Sequence, residues 1–238
     1  MDTRYWGPEG WQLFHTICYN YPIKPDIITI QTHKFFFKMI GDILPCKYCR
    51  MSYKKYIEDL PVEKSLDSRD SLFKWSYLLH NKVNGKLRKQ GHIKTPDPVY
   101  EDVYKFYFEE PFKEMCLLGN NFLKAIVYNY PKNGDNPRLR LIYYTFFNYL
   151  IDLYPNSNKN ELSQYNNNYP ILNNMENRDA LKKWFYILSC NIEKNCREII
   201  PYNIYCKKCE QYRSKDCSKD THKGNTCRKK TNKIKMTK

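Results

Sequence analysis

The sequence predicts an all-α protein, on three observations. Apolar residues recur at three- and four-residue intervals, only eight of 238 residues are glycine, and prolines fall between the periodic segments. A 42% hydrophobic fraction and a 16% aromatic fraction give such helices a core to bury, in one large or two small units.

The elements follow in order. Gly7-Pro8-Glu9-Gly10 enters a first helix carrying Trp11, Phe14, His15, Cys18 and Tyr21, which Pro22 and Pro25 end. A second helix runs from Asp26 to about Leu44, with Ile27, Ile30, Phe37, Ile40 and Leu44 on one stripe. Pro45 breaks it, and a third helix continues through Met51, Tyr53 and Tyr56 to Leu60, before Pro61. Asp67 or Ser68 caps a fourth, in which Leu72, Trp75, Leu79, Val83 and Leu87 recur. Thr95-Pro96-Asp97-Pro98 is a turn before an aromatic helix at Tyr100, Tyr104 and Phe108. Further helices are expected over Phe112–Tyr128, Arg138–Tyr154 and Arg178–Ile192, with the polar segment Asn156–Asn177 as a long loop. No internal repeat is evident.

The net charge of +15 is concentrated at the end of the chain, where residues 206–238 hold twelve Lys or Arg against three acidic residues. Such a tail attracts acidic partners, including nucleic acid. No signal peptide is visible at the N-terminus, and the most apolar stretch, Leu141–Leu153, falls short of the roughly 20 residues of a membrane span. Ten cysteines favour redox or metal chemistry.

Two cysteines, Cys46 and Cys49, stand three residues apart just after Pro45. A cysteine in a first helical turn faces unpaired backbone N–H groups and the positive end of the helix dipole, both of which favour the thiolate. Taken alone the pair fits a redox couple, half a metal site or simple burial. On the fourth helix His80, Val83, Asn84 and Leu87 share a face that could line a planar heteroaromatic ligand, with lysines near its phosphates. The plainer alternative makes Trp75, Val83 and Leu87 core and leaves His80, Asn81 and Asn84 as capping or solvated groups. Gly7-x3-Trp11-x3-His15 repeats the Trp/His theme on the first helix, beside a glycine-flanked entry.

Gly7-x3-Trp11-x3-His15 with Tyr21-Pro22, Leu44-Pro45-Cys46-x-x-Cys49, and Trp75-x4-His80-Asn81-x-Val83-Asn84-x-x-Leu87-x-Lys89 together resemble the Erv/ALR family of FAD-linked sulfhydryl oxidases, over about residues 1–105. The resemblance implies a four-helix FAD-binding bundle with a short fifth helix. It places Gly7, Trp11, His15, His80, Asn81, Val83, Asn84, Leu87 and Lys89 against FAD, with Tyr19 and Lys86 added from helical position. It makes Cys46 and Cys49 the redox pair. A protein thiolate would attack Cys46, as the more accessible sulfur, and Cys49 would face the flavin, with O2 as final acceptor and H2O2 as product. A homodimer is the family's habit. The family's cysteine soon after His-Asn is absent, since Gln90-Gly91-His92 follows and the next cysteine is Cys116. The basic-aromatic element that closes the FAD site is also unclear, and Tyr100 or Tyr104 would have to substitute.

The chain is thus expected to comprise an oxidase domain over 1–108, a helical accessory domain over 109–200, similar to extensions in large-virus members, and a basic cysteine-containing tail over 201–238. A viral origin would place it in host cytoplasm or virion. Cys190 and Cys196 are suited to bonding only if the helix ends near Asn191. Cys206 and Cys209 fit a mobile shuttle pair, or a zinc site shared with Cys217, His222 and Cys227, or incidental cysteines in a disordered tail. The non-enzyme alternative is a nucleic-acid-binding zinc protein acting through that tail, which leaves the first hundred residues unexplained.

Overall fold

A computed structural model describes residues 2–109, 117–155, 158–194 and 198–213. The first-half helices form where their caps direct. α1 spans Gly7–Tyr19 with Pro8 in its first turn. α2 spans Ile27–Ile43, and the Asp26 carboxylate accepts the Thr29 N–H at 2.7 Å. α3, Lys47–Asp59, begins behind Cys46. α4, Arg69–Lys89, is opened by Ser68, whose hydroxyl accepts the Ser71 N–H. Side-chain caps of this kind contribute about 1 kcal/mol each. α5, Tyr100–Glu109, lies across α4.

α1 packs along α4 and α2 along α3, so the aromatic residues at helical spacing meet in one core. The Phe14 ring lies 4.8 Å from Phe37, and Phe37 lies 5.0 Å from Trp75. No strand occurs among the described residues. None of the described helices is long and apolar enough to cross a membrane.

The second half holds α6 (Asn120–Tyr128), α7 (Pro137–Leu153), α8 (Asn158–Asn168), α9 (Arg178–Glu193) and α10 (Tyr202–Cys209). Three expectations are corrected here. The Asn156–Asn177 segment, expected to be a loop, contains α8 and a 3-10 turn at Ile171–Asn174. Its asparagines mask a short apolar face, Leu162 and Tyr165, which is buried, and the Tyr165 hydroxyl donates to the Trp184 carbonyl. The helix expected from Phe112 instead begins at Asn120, behind Gly119 with φ 77°; residues 112–116 lie outside the described residues.

The third correction concerns repeats. The Tyr21 hydroxyl donates to the Leu66 carbonyl at 2.8 Å, and Tyr130 donates to Met175 at 2.7 Å. Trp75 Nε1 donates to the Leu60 carbonyl, and Trp184 Nε1 to that of Tyr169. The guanidinium of Arg69 reaches the Tyr21 carbonyl, and that of Arg178 reaches Tyr130. Each pair is displaced by 109 residues (Tyr21 to Tyr130, Leu66 to Met175, Trp75 to Trp184), and the helix order, including the 3-10 turn before the fourth helix, is the same. The chain is a duplicated bundle. The repeat hides in sequence because what recurs is a set of scattered anchors, such as Tyr-Pro at 21 and 130 and Lys-Trp at 74 and 183.

The two units meet as the halves of a two-fold dimer would, through two pairs of counterpart helices, α1 on α6 and α2 on α7. Phe36 stacks on Phe146 at 5.6 Å with 15° between the planes. A Cβ on Gly119, at φ 77°, would meet Leu13 at 2.8 Å, so that crossing needs glycine, and one on Gly10 would press the Phe122 ring at 3.1 Å. The second unit runs past residue 200, where the tail was expected to begin. α10 packs on α9 through Tyr186, whose ring lies 5.1 Å from Tyr202 and 4.9 Å from Tyr205.

Candidate active site

Between α1, α3, α4 and α5 lies a cavity of about 630 Å3. α1 supplies Gly7, Trp11 and His15; α3 supplies Tyr48, Cys49 and Ser52; α4 supplies His80, Val83, Asn84, Lys86 and Leu87. The three sequence motifs therefore converge on one space. The wall also takes in residues the motifs did not mark, among them Trp6, Glu9, Tyr53, Tyr56, Phe106, Tyr107 and Phe122. Phe106 and Tyr107 fill the side for which Tyr100 or Tyr104 was expected. Those two rings turn instead toward Phe73. The helical stripe through Val103 and Tyr107 could have indicated this; nothing local marks Phe122.

Three expected residues do not line the cavity. Tyr19 lies edge-on to Phe73 and Tyr104, Asn81 is half-buried on α4, and Lys89 is exposed at the end of that helix. Each is three or four residues from a lining residue (Tyr19 from His15, Asn81 from Asn84, Lys89 from Lys86), so helical spacing alone does not separate them from the cavity; it is neighbouring elements that do, as Phe73 and Tyr104 draw Tyr19 toward α5.

The histidines are held in one tautomer. The Ser76 hydroxyl donates to the Phe73 carbonyl at 2.7 Å, so toward His15 Nδ1, 2.8 Å away, its oxygen accepts. His15 Nε2 is then the acceptor for His80 Nδ1–H at 3.0 Å. Both rings are neutral: burial drives His15 down to about 3, with the neighbouring His80 adding to it, and burial drives His80 down to about 4. His80 Nε2 is left as an acceptor. Trp11 stacks on His80 at 4.0 Å and 9°, fixing the ring plane. Asn84 donates to Asp97, which Arg88 also engages with two nitrogens, so the 95–98 turn holds the cavity face of α4 in place.

Cys46 and Cys49 differ in surroundings. Cys46 is the N-cap of α3, its sulfur accepting the Cys49 N–H at 3.2 Å, and it is 0% exposed. Cys49 faces the cavity. The expectation that Cys46 is the more accessible sulfur is therefore corrected: Pro45 and the first turn of α3 turn it inward. Its thiol is pulled down to about 7, chiefly by the hydrogen bond from Cys49, against its burial and helped by the Cys49 and Tyr48 N–H groups and the charge of Lys86. Cys49 is pushed up, by that same hydrogen bond and by burial. The pair thus holds its negative charge on Cys46 and its proton on Cys49. Lys86 is steadied by donation to Ser52 at 2.6 Å.

Cys206 and Cys209 lie elsewhere, on α10. Cys209 is 3% exposed, and burial raises its thiol against the opposing pull of Lys124, Tyr128 and Tyr205. The helix is packed rather than free, unlike the mobile segment a shuttle was expected to need. Cys116, Cys196, Cys217, His222 and Cys227 lie outside the described residues. Among the described residues no group of His, Cys, Asp or Glu is placed to hold a metal ion.

A model of the Erv1/Alr family matches residues 8–104. A protein of Acanthamoeba polyphaga mimivirus named as an FAD-linked sulfhydryl oxidase is 34% identical over 118 residues, covering 45% of this chain and 82% of that protein. The chain belongs to the Erv1/Alr family. A protein of Invertebrate iridescent virus 6 that is likewise only named as an FAD-linked sulfhydryl oxidase is 32% identical over 111 residues, 44% of this chain and 97% of that one. The mitochondrial FAD-linked sulfhydryl oxidase ERV1 of Saccharomyces cerevisiae is 36% identical over 88 residues, 37% of this chain but only 46% of its own length.

The site suits a flavin by its own construction. Its walls are aromatic and apolar with a few directed polar groups. The Trp6 indole N–H is buried in the wall without a hydrogen-bond partner, and beyond its chain neighbours and its own helix backbone nothing lies within 4 Å of a Cβ built on Gly7. The second unit's equivalent place carries different side chains, which engage one another or their own unit. The 109-residue step turns Trp11 into Asn120, His15 into Lys124, His80 into Ser189 and Asn84 into Glu193. Asn120 donates to Glu193 at 2.6 Å, and the Lys124 ammonium lies over Tyr205.

Proposed function

We propose that this chain is an FAD-linked sulfhydryl oxidase that forms disulfides in protein substrates, using Cys46 and Cys49 as its redox pair. The observation that carries the reading is the placement of Cys49 in the same aromatic cavity as Trp11, His15, His80 and Lys86. The relatives carry that activity in their names.

In the oxidised pair a substrate thiolate attacks Cys46 Sγ. The substrate–Cys46 disulfide forms, the Cys46–Cys49 bond breaks, and Cys49 leaves as a thiolate. A second substrate thiolate then attacks the substrate sulfur of that disulfide, giving the product disulfide and releasing Cys46. Because Cys46 is buried, the first turn of α3 must open to admit the substrate. The N–H groups of Tyr48 and Cys49 and the ammonium of Lys86 stabilise Cys46 as the released thiolate. Bound FAD supplies the two-electron acceptor that returns the pair to its disulfide, and the route to O2 with H2O2 as product. Trp11, His80 and Leu87 would hold its ring, with His80 Nε2 as an available acceptor.

The test is oxygen uptake with dithiothreitol by the purified chain. Uptake with stoichiometric peroxide is the expected result; a folded protein with neither flavin nor uptake would refute the reading.

A further inference from the structure

Among the described residues, the flavin cavity is built from positions before 110 with one exception, Phe122 on α6. Phe122 is firmly placed. Its ring lies 5.8 Å from Trp6, another wall residue, and against Gly10, where no side chain intervenes. The start of α6 is fastened to the cavity rim, since the Glu9 carboxylate accepts both the Asn121 backbone N–H, at 2.6 Å, and the Asn121 side-chain amide. Asn121 in turn accepts the Tyr212 hydroxyl at 2.6 Å, which ties in the end of the second unit.

The duplication supplies an internal comparison. Phe122 corresponds to Leu13 by the 109-residue step, and each packs on the other unit's glycine, Phe122 on Gly10 and Leu13 on Gly119. Leu13 does not line the cavity. Two equivalent interface positions therefore differ in one respect: the one at the cavity carries a flat aromatic ring, which suits a wall against a planar ligand.

We propose that the second unit completes the flavin site of the first, with Phe122 as a cofactor-contacting residue, so that flavin retention depends on the duplicated half of the chain. This rests on the flavin reading of the cavity given above.

The test uses the full chain with FAD itself as the probe. FAD dissociation constants are measured by equilibrium dialysis for wild type, Phe122→Ala, Phe122→Leu and Leu13→Ala, with far-UV circular dichroism as the check on folding. Phe122→Ala should weaken FAD binding by about tenfold or more, the loss of one aromatic contact. Phe122→Leu should show a smaller loss in the same direction, and it keeps the comparison open if the alanine variant does not fold. Leu13→Ala, which loosens the same interface away from the cavity, should stay within about twofold of wild type. Wild-type-like affinity in both Phe122 variants, or an equal loss in Leu13→Ala, would overturn the proposal. A wild-type chain that binds no FAD would instead refute the flavin reading and remove the proposal with it.

Discussion

His15 Nε2 lies 3.0 Å from His80 Nδ1, and that contact decides what α4 offers to the cavity. Ser76 fixes the first ring, the first ring fixes the second, and His80 Nε2 is left as an acceptor. We expect Ser76→Ala to free the tautomer and weaken FAD binding several-fold with the fold unchanged, the cost of one buried hydrogen bond. Flavin titration with circular dichroism checks this. An unchanged FAD affinity would contradict the relay.

Acid should unfold the protein before carboxylate chemistry alone requires it. His15, His80 and His33 are buried neutral, driven down to about 3, 4 and 4 by burial, against an unfolded value of 6.5. The unfolded chain therefore binds more protons between those limits, so the stability from these rings is full above pH 6.5 and lost as pH falls toward 4 and below. Denaturant midpoints measured from pH 7 to pH 4 should fall steadily; a flat profile would contradict neutral burial.

Lys86 should set the reactivity of the reduced pair. Its charge favours the Cys46 thiolate, so Lys86→Gln should move the pH dependence of Cys46 alkylation upward and slow the reaction several-fold near neutrality. The pH profile of iodoacetamide labelling, located by mass spectrometry, reads this directly. No shift would show that helix-terminal N–H groups suffice.

One flavin per chain should bind despite two bundles, because Asn120, Lys124 and Glu193 stand where the first unit has Trp11, His15 and Asn84, and they pair within their own unit. The ratio of flavin absorbance to protein after gel filtration measures it. A ratio near two would contradict the loss of the second site.

Most of the first unit was legible in the sequence, because its caps, prolines and apolar stripes lie within single helices and its motif residues share helical faces. What was not legible depends on contacts between helices distant in the chain. Phe106, Tyr107 and Phe122 reach the cavity only after α5 and α6 pack, and Cys46 is buried only once α3 docks. The second unit was misread for a related reason: its Trp184, Tyr130 and Arg178 keep the scaffold's hydrogen bonds, while the residues that would announce a site have changed. A polar stretch such as 158–168 needs only two buried side chains to be a packed helix.

The most direct test of the central claim is anaerobic reduction of the bound flavin by dithiothreitol, followed in visible absorbance for the full chain and for Cys49→Ser. We expect rapid bleaching in the wild type and a yellow variant that keeps its FAD and does not bleach on that timescale. Equal bleaching in both would show that electrons do not pass through the pair at Cys46 and Cys49.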